Sequence, residues 1–122
     1  MLLDWAFVGE GAIGEDVGNL VVDSVADGLI DPGLLPEIDR AVTAAYLAGL
    51  RAGGWRGRDG QVRRAITVTG AAKYCWLAPL MLKRLADGHG ARFYDRRDPE
   101  QVLRGRLGVL TLVADWAGAA LA

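Results

Sequence analysis

Gly14-Glu15-Asp16-Val17-Gly18-Asn19-Leu20-Val21-Val22-Asp23-Ser24-Val25-Ala26-Asp27-Gly28 is the stretch from which the architecture can be read outward. Val17, Leu20, Val21 and Val25 recur at steps of three and four, the spacing of one apolar helix face. Glu15 and Asp16 suit the positive end of the helix dipole, and Gly28 offers a C-terminal stop. The same grammar repeats downstream. Asp31-Pro32 places an N-cap acid before proline, and Leu34, Leu35, Ile38, Val42, Ala45, Tyr46 and Leu50 trace an apolar face ended by Gly53-Gly54. A third helix is predicted from Asp59, with Val62, Ile66, Thr69, Trp76 and Leu80 near one side. Pro79 should kink or break it, because proline lacks the N–H that the preceding turn needs.

The fourth start is the clearest. In Asp98-Pro99-Glu100-Gln101, Asp98 can cap, Pro99 fits the first turn and Gln101 can reach back as in a capping box. Val102, Leu103, Leu110, Val113, Trp116 and Leu121 then form an inner side. Upstream, Met1-Leu2-Leu3-Asp4-Trp5 is a short apolar run leading into the glycine-rich segment Gly9 to Gly14, as an edge strand would. The expected fold is mostly α: one domain over residues 1–122, with a strand and glycine-rich loop at 1–14 and a four-helix bundle-like body over 15–122.

Composition narrows the function. Hydrophobic residues make 52% and charged residues 24% of the 122, which fits a packed globular chain. A formal charge of −1 gives no basic field for nucleic acid. Arg51, Arg56, Arg58, Arg63 and Arg64 cluster in one stretch, either a solvated helix start or a phosphate patch; the interleaved aromatics of single-strand binders are lacking. Cys75 is the sole cysteine, so neither an intramolecular disulfide nor a multi-cysteine zinc site can form, and its apolar context predicts a buried, inert thiol. His89 stands alone between two glycines and reads as a loop residue. Tyr46, Tyr74, Trp76 and Trp116 are either an aromatic substrate cage or, from their helical spacing, core anchors. No signal peptide or full-length membrane span is evident, and a cytoplasmic protein without a membrane partner is the expectation.

Chemistry concentrates at the start. A carboxylate ending an apolar strand is held rigidly at a sheet edge, where magnesium accepts one or two protein oxygens and takes the rest from phosphates and water. Asp4 has that position; on these residues alone it could equally cap the following turn. The longer pattern, Leu2-Leu3-Asp4-Trp5, then Gly9, then Gly14-Glu15-Asp16-Val17-Gly18-Asn19-Leu20, resembles the metal-binding segment of the aminoglycoside phosphotransferase family, a branch of the protein-kinase-like fold. The resemblance implies that Asp4 is the magnesium ligand and that Asp16, opening the next helix, braces the loop and catalytic segment. Asn19 departs from the pattern, since many members carry an Asp there. The helices that follow are similar to the family's C-terminal region, which shapes the pocket for the small-molecule acceptor.

The resemblance also implies Mg2+ and a nucleoside triphosphate for the complete enzyme. The family's nucleotide-binding lobe and its His-x-Asp catalytic loop precede the metal ligand, so no catalytic residue is assigned within these 122, and the chain alone is expected to be inactive. A homo-oligomer, or association with a missing N-terminal lobe, is expected from the unpartnered first strand. The alternative is a non-enzymatic helical interaction or oligomerisation module.

Overall fold

The computed structural model describes residues 11–87 and 98–121 of the chain. Asp4, the expected first strand and His89 lie outside the described residues. Within them the structure is helical, with no strand: α1 (Glu15–Ala26), a 3-10 turn (Pro32–Leu34), α2 (Leu35–Ala52), α3 (Asp59–Tyr74), α4 (Leu77–Ala86) and α5 (Pro99–Leu121).

The helix ends follow local chemistry. Gly28 and Gly54 sit in left-handed backbone, at φ 75° and 94°, directly after α1 and α2. Asp31 accepts a hydrogen bond from the Gly33 N–H at 2.7 Å, but the turn it caps is 3-10, and α2 proper begins at Leu35. Asp98 Oδ2 accepts from the N–H groups of Glu100 and Gln101, satisfying two donors that the first turn of α5 would leave orphaned.

The expected third helix is present as two segments. The helical hydrogen-bond pattern lapses at Cys75 and Trp76, one turn before Pro79, because the missing N–H is the one that would have bonded the Cys75 carbonyl, while both residues keep right-handed helical backbone angles. Asp59–Ala86 is, by length and composition, the one stretch among the described residues apolar enough to cross a membrane, but this break divides it and a third of its apolar window is buried inside the fold.

Packing is organised around α3. Gly14 lies against Ile66, Gly18 against Gly70, and Tyr74 reaches Asp23, so α1 and α3 advance together in one direction. Gly70 meets the ring of Trp116, and Arg64 donates to the Ala120 carbonyl, so α5 runs the opposite way along α3. The main core joins Val21, Val22 and Val25 of α1 to Tyr74, Val109 and Trp116. A second cluster unites Val17, Leu47, Val62 and Ile66 at the other end of α1. Valines dominate α1 although β-branched residues gain little in an isolated helix; burial in two clusters supplies what propensity lacks.

Several expected inner positions face out instead. Leu20 and Leu121 are exposed, the latter at 90%, and Trp76 is 52% exposed at the α3–α4 break. Cys75 is exposed rather than buried, its thiol donating to the Ala72 carbonyl. The buried face of α3 and α4 runs on through Val62, Ile66, Gly70, Tyr74, Leu77 and Met81 at steps of three and four, so Cys75 and Trp76 fall outside it, and the expected inner face through Thr69, Trp76 and Leu80 is displaced from the one that packs.

Candidate functional site

The start of α1 is the part of the described structure closest in sequence to Asp4. Gly14 occupies the N-cap position with φ 86° and is buried. A side chain there would place its Cβ 2.4 Å from Ile66 Cγ1, and L residues rarely adopt that φ, so glycine is required twice over. The Gly14 N–H donates to the Tyr46 hydroxyl at 3.0 Å, tying the loop to α2. The turn preceding α1 is therefore fixed from both sides.

Asp16 follows on the first turn, exposed, with no hydrogen bond or ion pair among the described residues. Because glycine holds the cap, Asp16 supports α1 through its charge near the helix N-terminus, worth about 0.3–1 kcal/mol, and not through a capping hydrogen bond. Asn19 is partly buried, and its Oδ1 is enclosed without a hydrogen-bond partner. No three His, Cys, Asp or Glu side chains among the described residues gather as a metal centre.

The aromatic residues do not form a cage. Tyr74 and Trp116 are in the main core, Tyr46 packs beside the second cluster, and Trp76 faces outward. Tyr74 also makes a specific polar contact, because its hydroxyl donates to Asp23 Oδ1 at 2.6 Å. Burial, together with that carboxylate, holds the hydroxyl protonated well above the ordinary phenol range.

The arginine stretch is largely committed to internal work. Arg51 pairs with Asp59 at 2.6 Å and lies over the Trp55 ring at 4.9 Å. Arg56 and Arg64 donate to carbonyls at the ends of α2 and α5, where a cation meets the negative end of each dipole. Arg58 and Arg63 remain, exposed and donating no side-chain hydrogen bond among the described residues.

Two hollows are lined by polar groups the sequence did not single out as site residues. A cleft of about 630 Å³ lies between the 3-10 turn, the start of α2 and α5; Pro32, Leu35, Pro36 and Leu112 give it an apolar floor, and Asp39, Arg40, Thr111 and Asp115 stand around it. Burial raises the pKa of Asp39 above the usual carboxylate range, and Arg63 partly offsets this. A smaller hollow of about 450 Å³ includes Asp31, Gly28 and Arg106. Arg106 donates to the Ala26 carbonyl at 3.0 Å while its Nε is enclosed without a partner. Asp39 and Asp115 belong to helices far apart in sequence, and no local spacing announces their meeting. Compared with known protein-family models, curated proteins and solved structures, the chain matches none.

Proposed function

We propose that the chain is the C-terminal, acceptor-side portion of a small-molecule kinase of the aminoglycoside phosphotransferase type, with Asp4 as magnesium ligand and Asp16 bracing the segment that carries it. The observation that supports this best is the start of α1. A left-handed glycine is locked under Ile66 and Tyr46, and Asp16 just beyond it is exposed and has no partner among the described residues. A rigid turn with an unused acid is what a brace toward a neighbouring catalytic segment requires. When bound with a nucleoside triphosphate, magnesium would neutralise charge on the transferring phosphate. The helices behind α1 then form the wall for a small-molecule acceptor.

Phosphoryl transfer rests on positioning and charge stabilisation, and these 122 residues hold neither a His-x-Asp loop nor a nucleotide lobe. The test compares the chain alone with a polypeptide in which the coding region directly upstream is included in frame. Magnesium-dependent transfer from ATP or GTP to amines or sugars is expected only in the longer polypeptide, and Asp4→Ala should abolish it without unfolding the protein. Turnover by the 122-residue chain alone, or an upstream region without a His-x-Asp-x-x-x-x-Asn segment and without activity, would defeat the assignment. The second reading, a helical interaction module, is favoured by exposed apolar side chains such as Leu20, Trp76 and Leu82, and predicts a partner but no turnover.

A further inference from the structure

We propose that the cleft between the 3-10 turn, the start of α2 and α5 binds a small zwitterion with an apolar body, of the α-amino acid class. The ammonium group of the ligand meets Asp39 and Asp115, its carboxylate meets Arg40, and its side chain lies on the floor between them. This goes beyond the kinase reading and does not depend on it, since no described residue of α1 lines the cleft.

The shape is that of a ligand site. Pro36, Asp39 and Arg40 share one side of α2, and Gly108, Thr111, Leu112 and Asp115 share one side of α5, each set at the three- and four-residue steps that keep side chains on one face. The space between them, about 630 Å³, falls within the roughly 300–1,000 Å³ of small-molecule sites. Gly108 keeps part of the floor open. Its Cβ position lies 3.8 Å from both Leu35 Cδ2 and Pro32 Cβ, which is ordinary contact distance, so a methyl group would fit there and would strengthen the helix. Glycine at this position leaves unfilled a space that packing alone would close.

The charges around that floor are of both signs and lack partners. Neither Asp39 nor Asp115 accepts a hydrogen bond or joins an ion pair within 4 Å among the described residues. Asp39 is half-buried, and the charge of Arg63 offsets its burial only in part. A carboxylate so placed gains from a cation brought to it. Arg40 Nε donates to the Pro36 carbonyl at 3.1 Å, which draws the guanidinium back along α2, and its terminal N–H groups donate to nothing among the described residues. A simple anion would face two acids across the cleft. A simple amine would leave the Arg40 fork unused. A zwitterion answers both, and its apolar part covers Leu35, Pro36 and Leu112.

A ¹⁵N–¹H NMR titration of the 122-residue chain, without nucleotide or magnesium, tests this with three probes. These are L-phenylalanine, phenethylamine, which lacks the carboxylate, and N-acetyl-L-phenylalanine, which lacks the ammonium. L-Phenylalanine should shift the amides of Gly108 and Thr111 and bind at least about tenfold more tightly than either analogue, the worth of one hydrogen bond to a charged group. Asp39→Asn should weaken L-phenylalanine and phenethylamine by about tenfold each, and Arg40→Gln should weaken L-phenylalanine alike while leaving phenethylamine unchanged. Gly108→Leu, which fills the floor, should abolish binding with the helical circular dichroism retained; were that variant unfolded, the two polar substitutions would still decide. L-Phenylalanine that leaves these amides unmoved at millimolar concentration, three probes that bind alike, or an affinity indifferent to Asp39→Asn and Arg40→Gln would each overturn the proposal.

Discussion

Gly70→Ala is the sharpest test of the packing, because two opposed effects of known size meet at one atom. Gly70 is in the interior of α3, where alanine would ordinarily stabilise the helix by about 1 kcal/mol. Its Cβ, however, would stand 2.4 Å from Trp116 Cζ3 and 2.5 Å from Cε3, well inside contact distance. Trp116 is 5% exposed and part of the main core, so the ring has no free direction in which to swing. Gly18 closes the opposite side, since its own Cβ position lies 3.3 Å from the Gly70 Cα. The ring, or α5 with it, must shift, at a cost of about 1–3 kcal/mol for overpacking at a helix crossing. Subtracting the propensity gain leaves a net loss of up to about 2 kcal/mol. Gly49→Ala is the control: Gly49 is helical, exposed and has open space around its Cβ position, so that substitution should stabilise by up to about 1 kcal/mol. Urea unfolding followed by circular dichroism and tryptophan fluorescence would measure both. If Gly70→Ala were as stable as Gly49→Ala, the close crossing of α3 and α5 at Trp116 would be wrong.

Two further outcomes follow from side chains that join elements. Tyr74→Phe should cost about 1.5 kcal/mol, the lower end of the range for a hydrogen bond to a charged group, because exposed Asp23 regains water when the hydroxyl is removed; a double-mutant cycle with Asp23→Ala should recover most of that loss as coupling. Asp39→Asn should raise stability at neutral pH by less than about 1 kcal/mol, since burial disfavours the carboxylate and solvent screens a half-buried group. The sign follows from a folded-state pKa above the unfolded one: the folded chain binds the proton more tightly, so its penalty is present at neutral pH and disappears as pH falls through the folded value. Thermal unfolding of both proteins from neutral to acid pH should therefore show the gap closing, and a gap that widened toward acid would refute the assignment.

What could be read from sequence, and what could not, divides along the range of the forces involved. Asp31, Asp98, Gly28 and Gly54 act within one turn of their own position, so their places at element boundaries were visible in the letters. Pro79 was legible as a breaker, with its effect displaced to the carbonyl four residues earlier, whereas the exposure of Cys75 and Trp76 was not, because the buried face runs through Tyr74, Leu77 and Met81 instead. Periodicity gave the buried arc of α1 yet misassigned Leu20, because a helix pattern names a face without saying how wide a cover its neighbours provide. The glycines show the same limit more strongly. Gly18 and Gly70 look like weak points in two helices, and only their meeting, with Trp116 behind, explains why a methyl group cannot be accommodated at Gly70. The carboxylates of Asp39 and Asp115 reach one cleft by the same crossing of distant elements, since α2 and α5 are held together there by the 3-10 turn. A site made by tertiary packing has no spacing to detect, whereas the Gly14-Glu15-Asp16 turn is local and could be recognised before any fold was known. What sequence discloses is therefore what one continuous segment carries. The acceptor wall that we propose, built from several helices, would depend on the same contacts that Gly70→Ala disturbs.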